Sequence, residues 1–131
     1  MTTDGNKAIV RRFIKEVLGG GNTDLIDELL APNYTNPSMG VTNRTGFKAV
    51  ISGLKASAPA RDFEIDDVVA EGDSVVFRCN MNVTLASGKK VSARVITSYR
   101  LVDGKIVEDE PISTPPLTEL LIGMMPPKSG S

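Results

Sequence analysis

The chain has 131 residues, of which 40% are hydrophobic and 24% charged, enough for one domain around one core. Its 15 basic residues offset 16 acidic ones and no basic cluster is interleaved with aromatics, which argues against a nucleic-acid partner. No apolar run approaches the ~20 residues that span a bilayer, and the polar start shows no basic stretch leading into an apolar one, so a cytoplasmic protein without membrane contact is expected.

Over residues 6–18 the apolar side chains Ile9, Val10, Phe13, Ile14, Val17 and Leu18 recur at helical spacing, with Arg11, Arg12, Lys15 and Glu16 on the other side. The triplet Gly19, Gly20, Gly21 stops this first helix. Asn22 or Thr23 then caps a short second one whose inner face is Leu25, Ile26, Leu29 and Leu30 and which Pro32 closes. Residues 33–44, rich in Asn, Pro, Gly and Ser, read as irregular structure around Tyr34. A third helix starts at Thr45, turns Phe47, Val50, Ile51 and Leu54 inward, and ends near Pro59.

From Arg61 onward the period changes from helical to twofold. Phe63 and Ile65 lead into Val68 and Val69, and Glu71-Gly72-Asp73 turns the chain. In the next strand Val75, Phe77, Cys79, Met81, Val83 and Leu85 share one face, and Arg78, Asn80 and Asn82 share the other. After the Ser87-Gly88 turn, Val91, Ala93, Val95, Thr97, Tyr99 and Leu101 alternate with Ser92, Arg94, Ile96, Ser98 and Arg100. Asp103-Gly104 is a hairpin signal, and the last strand runs over 105–113. Thr114, Pro115 and Pro116 lead into an apolar helix with Leu117, Leu120, Leu121 and Ile122, followed by a flexible tail at 126–131. Three helices followed by a four-stranded antiparallel meander predict an α+β fold: one domain over 1–125, with N-terminal helices packed on a curved sheet around a pocket.

Cys79 is the only cysteine and there is no histidine, which removes the commonest general base and metal ligand. No metal is expected, and any chemistry falls to carboxylates, Tyr, Lys, Arg, amides or hydroxyls. The N-x-Thr triplets at Asn33, Asn43 and Asn82 read as chance matches to a glycosylation pattern.

Several strings, in order, resemble the SnoaL-like polyketide-cyclase branch of the ketosteroid-isomerase and nuclear transport factor 2-like superfamily. They are Asn6-Lys7-Ala8-Ile9-Val10-Arg11-Arg12-Phe13, then Leu29-Leu30-Ala31-Pro32-Asn33-Tyr34, then Gly46-Phe47-Lys48. In the sheet they are Val69-Ala70-Glu71-Gly72-Asp73, Tyr99-Arg100-Leu101, and Asp103-Gly104-Lys105-Ile106-Val107-Glu108. The resemblance implies a cone-shaped, cystatin-like fold, a homodimer, and a mostly apolar pocket. It also implies a carboxylate that moves a proton beside a carbonyl without metal or organic cofactor. The chain departs from that pattern in two places. Tyr34-Thr35-Asn36-Pro37 carries an amide where many relatives have a histidine, and Thr114 stands where their catalytic Asp would fall.

Within this frame Glu110, which shares strand parity with Ile112 and Thr114, is the expected proton shuttle, with Tyr34 at the pocket mouth, or Tyr99, stabilising negative oxygen. Asn36, Thr97, Tyr99, Thr114, Phe77 and Cys79 are the expected substrate-binding residues. Asp109 is expected to face the other way, as a surface or subunit-contact charge. Arg78, Arg94 and Arg100 should form an outer surface with Glu64, Asp66 and Glu108 as cross-strand partners. The reading is a cofactor-independent cyclase or isomerase acting on a small, mostly apolar carbonyl compound. The alternatives are a binding protein that has lost the chemistry, and a dimeric interaction module.

Overall fold

The computed structural model describes residues 2–114. The predicted first helix forms as α1 (Thr3–Arg12), opened by the Thr2 hydroxyl accepting from the Gly5 N–H at 3.0 Å. It continues with wider, π-type winding through Phe13–Gly19. Val10, Phe13, Ile14 and Val17 are completely buried on its inner face. The glycines end it for steric reasons: a Cβ at Gly20 would lie 2.7 Å from the Glu16 carbonyl oxygen, and Gly21 has φ +67°. A tight turn at Thr23–Leu25, capped by Asn22, leads into the single-turn α2 (Ile26–Leu29). The third helix, α3 (Arg44–Ser57), begins on Asn43, whose side chain accepts from the Gly46 N–H at 2.8 Å.

The predicted meander forms as β2 (Ala60–Glu71), β3 (Ser74–Thr84), β4 (Lys90–Val102) and β5 (Lys105–Thr114), each antiparallel to the next. One strand was not expected. The segment read as irregular starts as β1 (Leu30–Thr35), which lies parallel to β5 and completes a five-stranded sheet in the order β1-β5-β4-β3-β2. Leu30 and Tyr34 are fully buried, so their backbone groups need partners, and the sheet edge supplies them. Pro32 is tolerated there because an edge strand can spare an N–H. The Asp103-Gly104 hairpin forms as expected, with φ of 50° and 78° at its two central residues.

Two bulges set which side chains face inward. In β2, Ile65 lies opposite Cys79 while Asp67 lies opposite Arg78, so Asp66 is the extra residue. Asp66 and Asp67 are therefore both on the outer face, where they pair with Arg94 and Arg78 respectively, beside Arg100 with Glu108. The expected arginine surface is thus present, with Asp67 as an added partner and Glu64 bonded to Asn82 instead. These pairs are exposed and are worth about 0–1 kcal/mol each. In β5, Glu108 lies opposite Arg100 but Ile106 lies opposite Leu101, so Val107 is the extra residue.

The helices cover the inner face, and five of the six aromatic residues form a continuous chain across the junction. Tyr34 meets Phe47 at 5.2 Å, Phe47 meets Phe13 at 5.6 Å, Phe13 meets Tyr99 edge-on at 5.9 Å, and Tyr99 stacks on Phe77 at 5.5 Å. Among the described residues, no helix is long and apolar enough to cross a membrane. The predicted helix at 117–122, Met124-Met125 and the tail at 126–131 lie outside the described residues.

Arg61 ties the helical layer to the start of β2. Its guanidinium donates to the carbonyls of Leu18 at 2.7 Å, Ala58 at 2.6 Å, Leu54 at 3.2 Å and Gly19 at 3.4 Å, closing the C-terminal ends of α1's extension and α3. Arg61→Ala should lower the unfolding free energy by about 2–3 kcal/mol, with Arg61→Lys recovering only part of it. Urea denaturation measures both, and an Arg61→Ala loss under about 0.5 kcal/mol would contradict this role.

Candidate active site

Between the sheet and the helices lies a cavity of about 110 Å³. Each layer contributes to its wall: Leu18 from the end of α1's extension, Phe47 and Leu54 from α3, Phe63 from β2, and Phe77 and Met81 from β3. Val95, Thr97 and Tyr99 come from β4, Asp109 and Pro111 from β5, and Asn36 and Met39 from the turn after β1. A surface groove of about 570 Å³ bordered by Arg61, Asp62 and Lys90 is larger, but it holds no buried titratable group.

The polar groups of the cavity are gathered at its β5 side. Asp109 is 3% exposed and lies directly opposite Tyr99 in the β4–β5 register. One carboxylate oxygen, Oδ2, accepts the Tyr34 hydroxyl at 2.9 Å, and the other, Oδ1, is buried without a hydrogen-bond partner among the described residues. Behind Tyr34, the Asn36 Nδ2 donates to the phenol oxygen over 3.5 Å. Asn36 is held from two sides: its backbone bridges Val41, and its Oδ1 accepts from the Met39 N–H at 3.3 Å, which leaves Nδ2 facing Tyr34.

Burial dominates the electrostatics. The Asp109 carboxyl is pushed up to about 7 by desolvation, with the Tyr34 hydrogen bond working in the opposite direction. Among the described residues, no lysine or arginine lines the cavity to offset the desolvation. Both phenols are raised above their ordinary value, mainly by burial and then by the neighbouring Asp109, so both stay protonated. A side-chain hydrogen bond between Thr97 and Tyr99 acts in the other direction. Near neutral pH the site therefore holds one carboxyl poised between acid and base, and hydroxyl donors beside it.

A family model described as the SnoaL-like domain matches residues 10–109, a span that contains this whole constellation. The chain belongs to the SnoaL-like family. No curated protein matches it in sequence. Solved structures align along nearly all of this SnoaL-like chain. A candidate polyketide cyclase from Acidithiobacillus ferrooxidans shares 24% identity over 93% of this chain and 99% of its own, with a TM-score of 0.76. A candidate SnoaL-like polyketide cyclase from Jannaschia sp. CCS1 shares 22% over 95% of each chain, TM-score 0.78. A nuclear transport factor 2-like protein of unknown function from Burkholderia pseudomallei shares 17% over 96% and 100%, TM-score 0.77. At these identities the likeness is one of fold.

On this SnoaL-like frame the structure brings Asn36, Thr97, Tyr99 and Phe77 to the cavity wall, as the sequence suggested. It puts other expected residues elsewhere. Glu110 and Thr114 are exposed on the outer face of β5 with Ile112, so Glu110 does not enter the cavity. Their shared parity was read correctly, but the Val107 bulge turns that parity outward and brings Asp109 in. Tyr34 is not at a mouth: it is fully buried and its hydroxyl is committed to Asp109. Cys79 is buried beneath the wall rather than lining it, and its thiol is raised to about 11, so it stays protonated. Asp109 is the residue that sequence reasoning missed. The bulge at Val107 places Ile106, Asp109 and Pro111 on one face, while Pro111 itself pairs in regular register with Thr97.

An ordinary Asp releases its proton near 3.8, whereas Asp109 keeps it to about 7. Between these values the folded state binds a proton that the unfolded chain has lost, so this contribution to stability is full below about pH 4 and disappears as pH rises through 7. Asp109→Asn should therefore match the wild type near pH 4 and exceed it by about 2–4 kcal/mol at pH 8 in urea denaturation. In Tyr34→Phe, loss of the hydrogen bond that favours the ionised form should move the carboxyl midpoint above 7, read by carbon-13 NMR of the Asp109 carboxyl.

Proposed function

We propose that this SnoaL-like chain is a cofactor-independent cyclase or isomerase that moves a proton next to the carbonyl of a small, mostly apolar compound, with Asp109 as the base and then the acid. The observation that carries this reading is the buried Asp109 carboxyl in the wall of an apolar cavity, one oxygen held by Tyr34 and the other unpartnered among the described residues. Ionised, Oδ1 accepts a proton from the carbon beside the carbonyl. The acid so formed returns that proton to another carbon, or to the oxygen left by ring closure. A carboxyl that titrates near neutrality suits both directions, because neither state is strongly favoured. Negative charge that develops on the carbonyl oxygen needs donors in a water-poor site. The Tyr99 hydroxyl, kept protonated by burial and lying on the residue directly opposite Asp109, is the donor suited to that task. Tyr34 acts as a positioning residue through its bond to Oδ2.

Proton transfer is tested by α-proton exchange of simple ketones in heavy water. The wild type should catalyse it with a rate that rises with pH and levels off above about 7. Asp109→Asn should lose at least about 100-fold, while Glu110→Gln stays within about twofold. Equal rates for Asp109→Asn and wild type, or no exchange above buffer for any ketone, would reduce the protein to a binder on a catalytic scaffold.

A homodimer is the second proposal, favoured by the outer sheet face. Ile96 and Ile112 are register neighbours there, 48% and 70% exposed, with Val76 on the next strand and the arginine–carboxylate pairs around them. Such a patch fits self-pairing better than open water. Sedimentation should give a dimer for the wild type and a monomer for Ile96→Glu.

A further inference from the structure

When ionised, Asp109 is a buried charge without a counter-ion. Its Oδ2 is committed to Tyr34 at 2.9 Å, and among the described residues its Oδ1 has no donor. The groups that surround it do not supply one. Tyr34 from β1 and Tyr99 from β4 are phenols kept neutral by burial, and Cys79 from β3 is a neutral thiol. From the helical layer the wall receives Leu18, Phe47 and Leu54, all apolar. Lys15, on the extension of α1, spends its ammonium on the Phe63 carbonyl at 2.6 Å. A buried charge whose partner is missing is the costly form of an ion pair, and a cation supplied from outside removes that cost.

The cation must also match what the wall can accept. Thr97 and Tyr99 already share a side-chain hydrogen bond, and Asn36 Oδ1 already accepts from the Met39 N–H. Oδ1 of Asp109 therefore calls for a single donor. A primary ammonium carries three N–H groups and would leave two of them without partners. A trialkylammonium carries one and covers the rest of its charge with alkyl groups. Those groups suit the remaining wall, where Phe47, Phe63 and Phe77 supply aromatic rings to a cation. A dimethylammonium head has half the heavy atoms of benzene, and the rest of such a ligand need not fit inside. Leu18, Met39, Leu54 and Met81 are only partly buried, so an alkyl chain can leave past them.

We infer that the cavity takes a protonated tertiary amine, its single N–H on Asp109 Oδ1, its N-methyl groups among Phe47, Phe63 and Phe77, and its longer chain leaving past the partly buried rim. Binding of this kind needs only the geometry of the acid and its wall, not the chemistry proposed for the acid. An amine so held occupies the oxygen that proton transfer uses, so it also inhibits that reaction competitively.

The probe is N,N-dimethylhexylamine, titrated into the full chain by calorimetry beside three relatives. N,N-dimethylhexanamide has the same head and chain length without charge, N,N,N-trimethylhexylammonium has the charge but no N–H, and hexanoate has the opposite charge. At about pH 8 the amine is protonated and Asp109 ionised, and the amine should bind at least about tenfold more tightly than each relative. Its affinity should climb as pH rises toward 7 and level off above, because Asp109 must first lose its proton. Binding at about pH 6 should accordingly release close to one proton to the buffer, and binding at about pH 8 close to none. Asp109→Asn should lose at least about tenfold in amine affinity and change amide affinity by less than about threefold.

Any of the three relatives binding as tightly as the amine, Asp109→Asn holding the amine as well as wild type does, or no saturable amine binding at all, overturns the inference. If that happens while Asp109-dependent proton exchange persists, proton transfer stands and the cation site falls. If the amine binds by these criteria and no ketone exchanges, the cation site stands and the catalytic reading falls.

Discussion

The extra residue in β5 is the constraint on which the site depends. Without Val107 as a bulge, strict alternation from Ile106 would send Glu108 and Glu110 inward and leave Asp109 facing water. With it, Ile106 remains in the core, Asp109 enters the cavity wall, and Glu108 and Glu110 move to the outer face. The same irregularity touches β1, whose pairing with β5 shifts between Leu30 and Thr35, so Tyr34 is carried to the far side of Asp109 by the strand next to the bulge. One inserted residue thus decides which acid is buried and which phenol meets it.

Burying that acid works against stability, and the surroundings limit the cost without removing it. Tyr34 satisfies one carboxylate oxygen, and Asn36, held by its bridge to Val41 and its bond to Met39, steadies Tyr34 in turn. Among the described residues the other oxygen has no partner and no cation lines the cavity, so desolvation prevails and the group holds its proton to near neutrality. The aromatic chain from Tyr34 through Phe47, Phe13 and Tyr99 to Phe77 anchors both hydroxyl-bearing rings in the core. Arg61 closes the helix ends that form the opposite wall. An unsatisfied buried carboxyl held in a firm frame is the kind of local disadvantage that functional sites retain.

Much of this was legible before any coordinates. Helical spacing over 6–18, the glycine stop, the switch to twofold period at Arg61 and the Asp103-Gly104 turn report local geometry, and the corresponding elements form where those signals lie. Phe77, Thr97 and Tyr99 were legible as wall residues because long regular strands keep their parity, and Asn36 because it follows Tyr34 after the second helix. β1 was not legible, since its residues Leu30–Thr35 include Pro and Asn and lack alternation; its strand character comes from a partner more than seventy positions away. Glu110 and Asp109 exchanged roles for a related reason, because a bulge leaves no mark in composition and shows itself only when two strands are laid in register.

The sequence by itself determined an α+β domain with an apolar inner sheet face, a charged outer one, no histidine and few groups able to carry chemistry. Those properties follow from residue type and from periodicity along the chain, which neighbouring residues are enough to define. Only the tertiary structure decided that Asp109 is the buried acid, that Tyr34 serves it rather than a ligand, and that the acid lies in the wall of an apolar cavity. Each of these depends on strand register and on side chains brought together across the fold, and desolvation, which sets the acid's behaviour, is a property of the assembled core.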